Sequence, residues 1–110
     1  MIYSALFERH PDWLTCTLAN ASNVLPDSAH TLPDGTRITR KANGILWLEP
    51  PAGRANSNTE ALIVSAGVHG NETAPIEVLN GLVSELLEGK WSLACPLLLI
   101  LGNPPAMVAG

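Results

Sequence analysis

The sequence predicts an α/β domain, and three patterns support this. Two β-prone runs, residues 36–41 and 45–49, flank an Asn-Gly pair and indicate a β-hairpin. Two wholly apolar runs, residues 61–65 and 96–101, have the composition of strands buried on both faces. Residues 73–87, between them, have helical periodicity. Strand, helix and strand in this order predict a parallel pair with a right-handed crossover.

The helix predicted at residues 73–87 carries apolar residues at the i, i+3, i+4, i+7 spacing of one buried stripe. Pro75 falls in its first turn, where the missing N–H costs little, and Gly89 suits its C-terminal cap. Gly81 is a mismatch inside the helix and costs about 1 kcal/mol relative to Ala. The predicted stripe consists of Ile76, Leu79, Leu82, Val83, Leu86 and Leu87.

The first third of the chain is weakly patterned. Residues 13–18 mix bulky apolar residues with threonine, which favours a strand. Residues 20–33 are rich in Asn, Ser, Pro and Asp, which predicts a loop. Residues 50–51 are both proline and should end the second hairpin strand, because proline has no N–H to donate to a ladder.

Composition and charge exclude several classes of protein. The 110 residues carry a net charge of −4 and only six Lys and Arg, so no basic face is available for nucleic acid or for an anionic membrane surface. The longest apolar run is much shorter than the about 20 residues that span a bilayer, and residues 1–13 do not resemble a signal peptide. Cys16 and Cys95 are too isolated for a disulfide framework. We therefore expect a cytoplasmic protein with free thiols.

His69 and Glu72 are the candidate metal ligands, because they follow the first interior strand and precede the helix. Zinc takes imidazole nitrogen and carboxylate oxygen as ligands. Gly67 and Gly70 give the backbone the freedom to bring both groups to one ion. Functional groups of α/β folds collect at the carboxyl ends of strands, where a second glycine turn, residues 102–105, is also expected.

The residues alone leave alternatives open. His-x-x-Glu arises often by chance, and a catalytic zinc site needs a third protein ligand. His10 and His30 lie in no motif and are interpreted as surface residues. In a second interpretation, the glycine turn is a non-catalytic site that presents N–H groups to an anion at the helix start, although Glu72 would repel the anion. No general base is obvious, since Glu77 follows the turn but lies inside the predicted helix, and Glu85 and Glu88 are predicted to face solvent.

Residues 61–79 (ALIVSAGVHGNETAPIEVL) and 97–106 (LLLILGNPPA) resemble the succinylglutamate desuccinylase and aspartoacylase family of zinc carboxypeptidase-like hydrolases. The Gly-Val-His-Gly-Asn-Glu segment, residues 67–72, is the most specific part of the resemblance. Thr73 favours the succinylglutamate branch, because aspartoacylases usually have a bulky aromatic residue there. The resemblance implies hydrolysis of N-succinyl-L-glutamate to succinate and L-glutamate in arginine catabolism. An aspartoacylase-like N-acyl amino acid deacylase is the alternative.

The resemblance also implies a set of zinc ligands, of which this chain contains only the first two. His69 and Glu72 would bind one zinc ion, while a third ligand, a general base and substrate-binding arginines are expected downstream. No catalytic residue is therefore expected within the chain. Residues 1–110 would be the N-terminal, truncated portion of a single zinc-carboxypeptidase-like catalytic domain, inactive alone. The expected partner is a small-molecule dicarboxylate amide, with no nucleic acid or membrane, and the oligomeric state is open.

Overall fold

The structure is a computed structural model that describes residues 6–21, 23–51, 60–66 and 73–102. These residues form two helices and a five-stranded sheet. The helices are α1 (Trp13–Ala19) and α2 (Thr73–Leu87), and the strands are β1 (Ser28–Thr31), β2 (Arg37–Ala42), β3 (Ile45–Glu49), β4 (Leu62–Ala66) and β5 (Leu97–Leu101).

The sheet has the order β1-β2-β3-β5-β4. The pairs β1–β2, β2–β3 and β3–β5 are antiparallel, and the pair β4–β5 is parallel. Because α2 connects β4 to β5, the two parallel strands are joined by a helical crossover. The predicted α/β class is confirmed, together with its hairpin and its strand-helix-strand unit.

Helix α2 has the predicted bounds and ends in a Schellman motif. Gly89 has a φ of 79°, and its N–H donates to the carbonyl of Leu86 at 3.0 Å, while the N–H of Lys90 donates to the carbonyl of Glu85 at 2.9 Å. Leu82 departs from the predicted stripe, because 40% of it is exposed. The other members of the stripe are buried: Ile76, Leu79, Val83, Leu86 and Leu87.

The strand predicted at residues 13–18 is wrong, since this segment is helix α1. Asp12 is its N-cap and accepts a hydrogen bond from the N–H of Thr15 at 2.7 Å. The buried residues Trp13, Cys16 and Thr17 have helical spacing. Capping and this spacing outweigh the weak β-propensity of the threonines.

The loop predicted at residues 20–33 is wrong in part, because it contains β1. This strand forms through its antiparallel pairing with β2 rather than through its own composition. The buried guanidinium of Arg40 in β2 also holds the chain segment that leads into β1. Its Nη1 donates to the carbonyl of Leu6 at 2.6 Å, and its Nη2 donates to the carbonyl of Pro26 at 2.8 Å, just before β1.

One face of the sheet packs against both helices and forms the core. This face holds Ile38, Leu46, Leu48, Leu99 and Leu101, each at most 3% exposed. The prediction that the first apolar run is buried on both faces is wrong for β4. Three of its residues are 40–69% exposed, because β4 is an edge strand of the described sheet: Leu62, Ile63 and Val64.

Within the described ranges, no helix is long and apolar enough to cross a membrane. Both cysteines are free, as predicted, with Cys16 buried and Cys95 half-buried.

Candidate functional site

The carboxyl ends of β4 and β5 form the frame of the candidate site. Ala66 and Leu101 are register partners at the ends of the two parallel strands. The N–H of Gly102 donates to the carbonyl of Ala66 at 2.8 Å, so a hydrogen bond connects the ends of the two strands. Both chain segments therefore leave the sheet at the same edge, as the sequence predicts for a functional site of an α/β fold.

The predicted ligands His69 and Glu72 lie outside the described residues, as do the glycines Gly67 and Gly70 beside them. The structure instead describes the residues on either side of this segment. Ala66, at the end of β4, precedes it, and α2 begins directly after Glu72. The two ligand assignments remain predictions, and so does the turn at residues 102–105 beyond its first residue.

The tip of the β2–β3 hairpin contacts this frame, which the sequence did not reveal. Gly44 has a φ of 83°, and its carbonyl accepts a hydrogen bond from the N–H of Leu101 at 2.7 Å. A Cβ on Gly44 would lie 2.8 Å from the carbonyl oxygen of Leu101. The Asn-Gly pair signals the hairpin, but its packing on β5 is a non-local contact that no local pattern encodes.

Asn43, next to this glycine, links the hairpin tip to the end of α1. Its Nδ2 donates to the carbonyl of Thr17 at 3.0 Å and to the carbonyl of Asn20 at 2.9 Å. Helix-terminal carbonyls lack partners within their own helix, so this side chain supplies hydrogen-bond donors to carbonyls at the end of α1. Helix α1, the hairpin and the exit of β5 are thereby held in one hydrogen-bonded unit.

Neither described histidine joins the frame. His10 donates from Nδ1 to the carbonyl of Phe7 at 2.9 Å, a local bond. His30 lies in β1, four strand positions from β4, which corresponds to about 19 Å at ordinary strand spacing. In the part of the chain that the structure describes, no group of three or more His, Cys, Asp or Glu residues is arranged to hold a metal ion.

The helix glutamates face solvent, as predicted for Glu85 and Glu88. Glu77, Glu85 and Glu88 are all exposed. Glu88 forms an ion pair with Lys90, with 3.1 Å between Oε2 and Nζ.

A buried cation beside a thiol is the main electrostatic feature that sequence reasoning missed. Arg40 is 2% exposed, and its Nη2 lies 3.8 Å from Oε1 of Glu8. Burial raises the pKa of the nearby Cys16 thiol, while the charge of Arg40 partly opposes this effect. Since Arg40 also holds two backbone carbonyls, we interpret this cluster as structural.

A polar depression of about 460 Å³ lies on the opposite face of the sheet, over β1–β3. Arg37 and Glu49, which are register partners, line it together with Lys41 and Asp27. Two acidic and two basic side chains line it, so the depression favours neither anions nor cations. It lies away from the frame formed by β4 and β5.

Comparison with known proteins agrees with this architecture. Residues 58–110 match the family model described as the succinylglutamate desuccinylase/aspartoacylase catalytic domain. The chain is 46% identical over 100 residues to a succinylglutamate desuccinylase of Burkholderia lata, and 45% identical over 100 residues to one of Yersinia enterocolitica. These alignments cover 90% and 91% of this chain, and 28% of each relative.

Solved structures share the fold. The succinylglutamate desuccinylase of Vibrio parahaemolyticus superposes with a TM-score of 0.81 at 26% identity, over 91% of this chain and 33% of that chain. The enzyme of Chromobacterium violaceum gives a TM-score of 0.75 at 34% identity, over 92% of this chain and 30% of that chain.

The mixed sheet, with two parallel strands that end side by side and are joined by a helical crossover, is the α/β arrangement found in these structures. Residues 58–110 belong to the succinylglutamate desuccinylase/aspartoacylase family. The resemblance inferred from the sequence is thus confirmed. The chain spans about 28% of the length of the curated relatives it matches.

Proposed function

We propose that this chain is part of a zinc-dependent amide hydrolase that cleaves N-succinyl-L-glutamate to succinate and L-glutamate, a reaction of arginine catabolism. One observation carries the proposal. A Gly-Val-His-Gly-Asn-Glu segment joins β4 to α2 in a chain that is 46% identical to a succinylglutamate desuccinylase.

His69 and Glu72 would hold the metal ion. Imidazole and carboxylate are donors that zinc prefers, and catalytic zinc sites combine them with a third protein ligand and a water. When bound, zinc lowers the pKa of its water toward about 7 and polarises the amide carbonyl. The donor types fit, and the tied ends of β4 and β5 give the segment that carries them a fixed frame.

The remaining groups are expected beyond the residues of this chain. A third ligand, a general base and arginines for the two substrate carboxylates are implied by the family resemblance. Arginine suits a dicarboxylate because its guanidinium fork makes paired hydrogen bonds to carboxylate oxygens. We therefore expect the 110-residue chain to bind zinc weakly and to hydrolyse nothing by itself.

An aspartoacylase-like N-acyl amino acid deacylase is the second candidate, because the family description includes both activities. The acyl group distinguishes them, since the desuccinylase substrate has a carboxylate on its acyl chain and acetyl-aspartate does not. Comparing hydrolysis of succinylglutamate and acetyl-aspartate by one enzyme preparation decides between the two.

A chimera tests the proposed activity. The 100 aligned residues of the Burkholderia lata enzyme are replaced by the matching residues of this chain, and succinylglutamate hydrolysis is measured. His69→Ala and Glu72→Ala should each lower kcat/KM at least about 100-fold, because each removes a zinc ligand. His30→Ala is the control and should keep activity. Full activity in both ligand variants would refute the proposal.

A further inference from the structure

We propose that Asn43 is a positioning residue for the proposed metal site, because its side chain fixes the hairpin tip that holds the end of β5. The inference rests on the proposed function, since it concerns how firmly the zinc ligands are presented. It begins with the backbone of the hairpin. Among the described non-glycine residues, φ is positive only at Glu8 and Arg9. The turn itself therefore does not require asparagine at this position, and the contacts of the side chain must explain it.

The side chain of Asn43 acts only as a donor within the described part of the chain. Its Nδ2 donates to the carbonyls of Thr17 and Asn20 at 3.0 and 2.9 Å, while its Oδ1 is buried and accepts no hydrogen bond from any described residue. These two bonds define the orientation of the amide, because exchanging nitrogen and oxygen would place an oxygen against two carbonyl oxygens. A side chain of the same shape without the NH₂ group therefore cannot replace it.

A series of hydrogen bonds leads from this amide to the candidate site. Asn43 joins the end of α1 to the hairpin tip, and the next residue, Gly44, accepts from the N–H of Leu101 at 2.7 Å. The N–H of Gly102 then donates to the carbonyl of Ala66 at 2.8 Å. Ala66 is the last residue of β4, and the segment with the proposed zinc ligands follows it. The exit of β5 is thus held on one side by the hairpin tip and on the other by β4.

Close packing makes this connection stiff. Thr17, Leu101 and Ala66 are at most 3% exposed. The backbone of Gly44 lies against two of them, since a Cβ there would be 3.5 Å from Cγ2 of Thr17 and 2.8 Å from the carbonyl oxygen of Leu101. Tightly packed groups transmit displacements to their neighbours. Without the donors of Asn43, the hairpin tip would move away from α1 and weaken the bond between Gly44 and Leu101.

Asn80 offers a matched control at the opposite end of α1. It is half-buried like Asn43, but its Oδ1 accepts a hydrogen bond from the N–H of Leu14 at 3.0 Å. Changing asparagine to aspartate keeps the size of the side chain and adds the same charge at both positions. The change removes the donors that Asn43 uses and preserves the acceptor that Asn80 uses. The pair of variants therefore separates the loss of the hydrogen bonds from the effect of an added charge.

Hydrogen exchange in the 110-residue chain measures the local effect. Asn43→Asp and Asn43→Ala should each speed exchange of the Leu101 amide at least about tenfold relative to the Leu62 amide. The N–H of Leu62 donates to the carbonyl of Pro96 at the other end of the β4–β5 pair, so it reports any general loss of stability. Asn80→Asp should leave the ratio of the two rates unchanged. An unchanged ratio in both Asn43 variants would overturn the proposal.

Zinc affinity separates a positioning role from a purely structural one. Chelator competition measures the zinc dissociation constants of the same variants in the chimera with the Burkholderia lata enzyme. Partners that contact a metal ligand change affinity about 10–100-fold, so the more distant Asn43 should change it about 3–10-fold, while Asn80→Asp should not change it. Unchanged affinity in both Asn43 variants, with weaker binding in His69→Ala, would overturn the proposal and leave the proposed function intact. Unchanged affinity in His69→Ala would refute the proposed function and, with it, the role of Asn43 toward zinc.

Discussion

Replacing Gly44 with alanine tests the contact between the hairpin tip and the exit of β5. An L-residue at a φ of 83° costs about 1–2 kcal/mol, because Cβ crowds the following carbonyl. In addition, the new Cβ would lie 2.8 Å from the carbonyl oxygen of Leu101, which is backbone. The tip must shift and weaken a 2.7 Å hydrogen bond whose net value is about 0.5–1.5 kcal/mol. We expect Gly44→Ala to lower the free energy of unfolding by about 1.5–3.5 kcal/mol.

The variant Gly89→Ala separates the cost of backbone strain from the cost of the contact with Leu101. Gly89 has nearly the same conformation, with a φ of 79°, but no atom lies within 4 Å of where its Cβ would sit. This variant should therefore lose only the strain, about 1–2 kcal/mol. Urea unfolding followed by circular dichroism measures both variants. Equal losses at the two positions would refute the reasoning, because the contact with Leu101 would then contribute nothing.

Further predictions concern three other residues of the chain. Arg40→Lys should destabilise the fold by about 1–3 kcal/mol in urea unfolding, because an ammonium does not reproduce the guanidinium fork that holds two carbonyls; wild-type stability would contradict this. Cys16 should react with a thiol reagent more slowly than the half-buried Cys95. Because burial raises the pKa of Cys16, its contribution to stability is complete below its ordinary value near 9 and is lost as pH rises further; a Cys16→Ala variant should lack this alkaline loss. Asp12→Ala should cost about 1 kcal/mol because the N–H of Thr15 loses its cap, and Asp12→Asn should cost little; equal losses would contradict the capping role.

The elements that sequence patterns predicted are those with strong local signals. β4 and β5 are continuous apolar runs, α2 has an apolar stripe with helical period, and the Asn-Gly pair identifies the hairpin. Helix α1 was missed because only seven residues display its period. The cap at Asp12 and the spacing of Trp13 and Cys16 were the signals that identify it.

Features that depend on contacts between distant parts of the chain could not be predicted from local sequence patterns. β1 exists because β2 pairs with it, and the burial of Arg40 depends on carbonyls 34 and 14 residues away along the chain. The exposure of β4 depends on its position at a sheet edge, which composition does not specify. For the site, the sequence predicted that the ends of β4 and β5 lie side by side, which the structure shows. The ligand roles of His69 and Glu72 remain predictions that rest on chemistry and resemblance.

The zinc dissociation constant of the chain tests the central claim most directly. Competition titration with a chromophoric chelator compares the wild-type chain with His69→Ala, Glu72→Ala and the control His30→Ala. We predict at least about tenfold weaker binding in each of the first two variants and unchanged binding in the control, because only the first two residues would contact the ion. Equal affinity in all four proteins would contradict the assignment of His69 and Glu72 as metal ligands.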